Sequence, residues 1–65
     1  MTKTVAIKGM TCNHCVMHVK EALESVPGVK KASVSLEKNE AIVEGEHWDD
    51  QALRAAVEDA GYSVA

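Results

Sequence analysis

The sequence predicts an α+β sandwich, four antiparallel strands with two helices on one face of the sheet, and three observations carry that expectation. Apolar residues alternate with polar ones in short segments, they recur at the helical interval in two longer ones, and Gly9, Pro27-Gly28 and Gly61 punctuate the boundaries. In chain order these signals read β-α-β-β-α-β, the ferredoxin-like split arrangement. One apolar face of the sheet then suffices for a core.

The first strand is expected over Thr4–Lys8, where Val5 and Ile7 alternate with Thr4, Ala6 and Lys8 until Gly9 breaks the pattern. Between Cys15 and Val26, the side chains of Val16, Val19, Leu23 and Val26 fall within about 80° of arc at about 100° per residue, which predicts an amphipathic helix. Pro27-Gly28 ends it, because the residue before a proline is pushed out of the helical region and proline cannot donate the next hydrogen bond. Ala32, Val34 and Leu36 alternate with Lys31, Ser33 and Ser35, Glu37-Lys38-Asn39-Glu40 carries turn chemistry, and Ala41 and Val43 alternate with Glu40 and Glu44. A hairpin follows from this. After the connection Gly45–Trp48, Asp49 is placed to cap a helix on which Leu53, Ala56, Val57 and Ala60 repeat, Gly61 stops it, and Tyr62–Val64 is a last short strand. This order of directions puts Gly61 and Tyr62 beside the loop that carries the cysteines. His47 and Trp48 fall at the opposite end, with Trp48 expected to cap the core.

Composition bounds the function. The 65 residues allow one domain over 1–65, and nine Val, nine Ala, three Leu, two Ile and no Phe make a thin core without a buried pocket for a large substrate. Seven Lys and Arg are spread against ten Asp and Glu, with Trp48 and Tyr62 the only aromatics, so nucleic-acid binding is not expected. No apolar run is long enough to cross a bilayer and the N-terminus lacks the pattern of a secretory signal, so a cytoplasmic protein without membrane insertion is expected. No acid–base pair, nucleophile triad or phosphate loop is visible, and an enzyme is not expected.

The chemistry concentrates in Gly9-Met-Thr-Cys-Asn-His-Cys15. A disulfide between Cys12 and Cys15 would close too short a loop to act as a staple. At a helix start, unpaired N–H groups and the positive end of the helix dipole favour thiolates. Two soft thiolates at this spacing suit Cu(I), whereas Zn(II) usually takes four ligands. Other thiophilic ions (Hg, Zn, Cd, Ag) are the alternative cargo. A thiol–disulfide redox protein is a further alternative, opposed by the short chain and by a single proline that follows the first helix. A structural zinc module would need two more ligands, and His47 lies at the wrong end. Met10, directly after the first strand, is read as packing rather than as a thioether ligand. His14 and His18, one helical turn apart, project away from the Val16/Val19/Leu23 stripe and read as solvated, with His14 kept as an auxiliary ligand. Tyr62 is expected to pack beneath the loop with its hydroxyl toward a sulfur.

Gly9-Met-Thr-Cys-x-x-Cys15, Pro27-Gly28-Val29 and Ala60-Gly61-Tyr62 together resemble the heavy-metal-associated domain over almost the whole chain. The loop Met10-Thr11-Cys12-Asn13-His14-Cys15 is most similar to that of stand-alone bacterial copper chaperones. The resemblance implies the ferredoxin-like fold, a Cu(I) site at Cys12 and Cys15, and delivery to the metal-binding domain of a copper-transporting P-type ATPase. By their position in the chain, Met10, Thr11, His14 and Tyr62 are expected around the sulfurs, and Asn13, Met17, His18 and Gly61 are candidate partner contacts. An open site further predicts a monomer when apo and a metal-bridged homodimer when no partner is present.

Overall fold

A computed structural model describes all residues, 1–65. The elements run β1 (Thr2–Lys8), α1 (Asn13–Glu24), β2 (Val29–Ser35), β3 (Glu40–Gly45), α2 (Asp50–Asp59) and β4 (Ser63–Val64). They form one four-stranded sheet of order β2-β3-β1-β4 with every neighbouring pair antiparallel, the ferredoxin-like arrangement that the hydropathy pattern predicts. Val5 and Ile7 of β1 and Ala41 and Val43 of β3 turn inward on the alternating pattern and meet Val19 and Leu23 of α1 and Leu53 and Val57 of α2 in one apolar cluster. Full burial of a Val or Leu side chain contributes about 1.5–3 kcal/mol. With so few large residues, each of these positions matters.

The boundaries move in ways that have physical causes. Strand β1 starts two residues earlier than the alternation indicates, because Thr2 and Lys3 pair with Glu44 and Val43. Helix α1 begins at Asn13 and ends at Glu24, ahead of Pro27, with the Ser25 hydroxyl donating to the Ala22 carbonyl at 2.6 Å. Val26 is buried from the loop that follows. Strand β2 starts at Val29, and a bulge at Lys30 lets Val29 pair with Gly45 and Lys31 with Glu44, which is why two exposed lysines in succession interrupt the period of two. Leu36 lies in the turn, where Asn39 takes the left-handed conformation with φ 52. Glu24 of α1 accepts the Ala32 N–H on the outer edge of β2 at 3.2 Å.

The two ends of the sandwich are as expected. Asp49 caps α2 by accepting the Gln51 N–H at 2.9 Å, and Trp48, 8% exposed, closes the core beside it with its indole N–H on Asp50 at 3.0 Å. Gly28 packs so closely on the backbone of Glu46, His47 and Trp48 that no side chain fits there. At the other end, Tyr62 lies against Gly9, where an added Cβ would meet the ring at 3.3 Å.

Candidate metal centre

Cys12 is the N-cap of α1, with extended backbone (φ −156, ψ 174), and its carbonyl accepts the Val16 N–H at 3.3 Å. Cys15 therefore stands at the third helical position, so the two sulfurs occupy the two positions that a Ser-x-x-Glu capping box would use. No side chain caps the helix and no carboxylate lies in its first turn. The cysteines are the groups available to carry negative charge at this positive helix end. Their sulfurs are 3.6 Å apart as free thiols, Cys12 exposed and Cys15 half-buried.

The electrostatics favour the Cys15 thiolate, lowering its pKa from 9.0 to about 6. A backbone hydrogen bond at Thr11 contributes most, the Tyr62 hydroxyl comes next, burial opposes them, and the sulfur and backbone of Cys12 add smaller effects. The Thr11 hydroxyl also lies 3.9 Å from the same sulfur. Tyr62 does not meet the geometry of a full hydrogen bond to sulfur, yet its hydroxyl is close enough to favour the thiolate, and the thiolate in turn raises the Tyr62 pKa.

The position of Tyr62 is set by the end of α2. Its N–H donates to the Val57 carbonyl at 3.1 Å while the Gly61 N–H donates to Glu58 at 3.0 Å, the paired bonds of a Schellman motif, with Gly61 at φ 98. Thus β1, α1 and the close of α2 meet at one end of the molecule. Met10, 6% exposed, is part of the core beneath the loop, as its place after β1 predicts. Asn13, His14, Met17 and His18 are exposed on α1, and Gly61 is exposed next to Tyr62. Sequence reasoning missed two features here. Gly9 is required by its φ of 101, with the Tyr62 ring close enough that an added Cβ would meet it at 3.3 Å, and the capping-box spacing of the cysteines was the available signal for their place on the helix.

No group of three or more His, Cys, Asp or Glu side chains converges anywhere in the fold, so this chain alone cannot build a closed four-ligand zinc site. What it offers a soft cation is a pair of sulfurs, Cys12 exposed and Cys15 half-buried.

A family model described as the heavy-metal-associated domain matches residues 4–63. The chain belongs to the heavy-metal-associated domain family. It is 39% identical to the copper chaperone CopZ of Enterococcus hirae, over 98% of this chain and 96% of that one. It is 46% identical to the periplasmic component of mercuric transport from Salmonella typhi, over 94% of this chain and 69% of that one. A copper-exporting P-type ATPase of Vibrio cholerae is 44% identical over 97% of this chain, which spans 7% of the ATPase. Among solved structures, a CopZ metallochaperone superposes with a TM-score of 0.95 at 31% identity, with both chains fully covered. The domain is a metal-binding module and not an enzyme. No helix is long and apolar enough to cross a membrane.

Proposed function

We propose that this heavy-metal-associated domain is a cytoplasmic copper chaperone in which Cys12 and Cys15 hold one Cu(I) and pass it to the metal-binding domain of a copper-transporting P-type ATPase. The observation that carries this reading is a pair of free thiols 3.6 Å apart on an exposed helix start with no third ligand within the chain. Two thiolates leave a bound ion short of the four ligands that close a structural site. Its open side faces a partner. A third thiolate enters there before either original bond breaks, and the barrier to transfer stays low. Cys12, the more exposed sulfur, admits the incoming ligand, and Cys15, held by α1, releases second. Similarity to the copper chaperone and to a segment of the copper-exporting ATPase supports both the cargo and the partner. The cytoplasm, which keeps thiols reduced, is where such a pair stays competent. Without a partner a second copy supplies the extra thiolates, giving a copper-bridged homodimer from an apo monomer.

A second reading, carriage of Hg(II) on the same sulfurs, is favoured by the mercuric transport relative. The two are separated by transfer rather than by affinity, because any close dithiol holds Hg(II). Copper-loaded protein mixed with an apo ATPase metal-binding domain, in the presence of a chelator that strips free Cu(I), should equilibrate much faster than copper is released spontaneously. Transfer no faster than that release overturns the chaperone reading, and rapid passage of Hg(II) alone replaces it with the second. Cys12→Ser and Cys15→Ser should each abolish transfer with the fold retained by circular dichroism.

A further inference from the structure

His14 and His18 stand four residues apart on α1, both exposed, and neither ring has a hydrogen-bond or ion-pair partner. At about 100° per residue the two directions differ by about 40° and point away from the Val16/Val19/Leu23 stripe. We propose that His14 and His18 form a second metal site, a bidentate imidazole pair for a divalent borderline ion such as Zn(II), beside the thiolate pair and distinct from it.

The geometry suits such an ion. Helical residues four apart have Cβ atoms about 5–6 Å apart, and two metal–nitrogen bonds of about 2.0 Å at a tetrahedral angle need donors about 3.3 Å apart, which two imidazoles on that spacing reach by rotation about their side-chain bonds. Imidazole suits Zn(II), Ni(II) and Cu(II), whereas thiolate selects Cu(I), so the two pairs sort ions by softness. Glu21, three residues beyond His18 on the same side, sets a negative charge against the positive end of the helix dipole, which otherwise opposes a cation here. Its carboxylate is not drawn in with the two rings in the free protein, so the remaining coordination positions are taken by water. The site stands independently of the copper reading, since it uses neither sulfur.

The test is titration of Zn(II) onto the Cys12→Ser/Cys15→Ser chain, followed through the imidazole resonances of all three histidines by NMR. His14 and His18 should shift together in one saturable step, with His47, at the opposite end of the molecule, unmoved. His18→Ala should weaken binding at least tenfold, Glu21→Gln a few-fold, and His47→Ala not at all. If the double variant does not fold, the same titration is made on the wild-type chain already loaded with one equivalent of Cu(I). Equal response of all three histidines, or an affinity within twofold of the parent for His18→Ala, overturns the site.

Discussion

Cys15 is where contributions from two distant parts of the chain add up. The backbone at Thr11 and the Tyr62 hydroxyl both favour its thiolate, and neither depends on bound metal. Alkylation of Cys15 by iodoacetamide, measured by mass spectrometry against pH, should therefore reach half its maximal rate near pH 6. Tyr62→Phe removes the hydroxyl while keeping the ring against Gly9, so the midpoint should move upward with little loss of stability. An unchanged midpoint would show that Tyr62 serves packing alone. His14→Ala should leave Cu(I) affinity essentially intact, because the ring is exposed and is absent from the interactions that set the thiolate.

At the scale of elements, the two ends of α2 have separable jobs. Asp49→Ala removes one N-cap hydrogen bond and should cost about 1 kcal/mol in urea denaturation. Its end of the molecule is remote from the sulfurs, so the Cys15 midpoint should not move. Gly61 has nothing within 4 Å of an added Cβ, so Gly61→Ala costs only the left-handed backbone conformation, about 1–2 kcal/mol. Because the same turn places Tyr62, this variant should also raise the Cys15 midpoint. A similar stability loss in both variants with a pKa change in only one would establish that the Schellman turn couples α2 to the metal end.

For the whole molecule, the lowered Cys15 pKa links folding to pH. With the folded thiol at about 6 and the reference at 9.0, the unfolded chain binds more protons between those values, so stability rises with pH across that window. The contribution is complete above pH 9 and lost as pH falls through about 6. Under reducing, metal-free conditions the thermal midpoint of the wild-type chain relative to Cys15→Ser should climb over this range, and a flat difference would contradict the thiolate assignment. Asp50, whose carboxylate is favoured first by Lys3 and then by the Trp48 indole, has the same sign at acid pH: stability is lost as pH falls through its lowered pKa.

The sequence by itself determined the order of elements, the inward sets Val5/Ile7, Val19/Leu23, Ala41/Val43 and Leu53/Val57, the Asp49 cap and the location of the cysteine loop. Each of these is written in local periodicity or in the chemistry of a single turn. The bulge at Lys30, the Glu24 bond to Ala32 and the early start of β1 were not legible, because they depend on which edge of which strand meets a neighbour. The metal end divides in the same way. Two thiols at a helix start, and the Thr11 backbone that most favours the Cys15 thiolate, are local to the loop, but the approach of the Tyr62 ring to Gly9 and the further lowering of Cys15 by the Tyr62 hydroxyl arise only when α2 returns to it. A thiolate's energy depends on dipoles within a few ångströms of it, and residues some fifty positions apart in the chain become neighbours only through the tertiary fold.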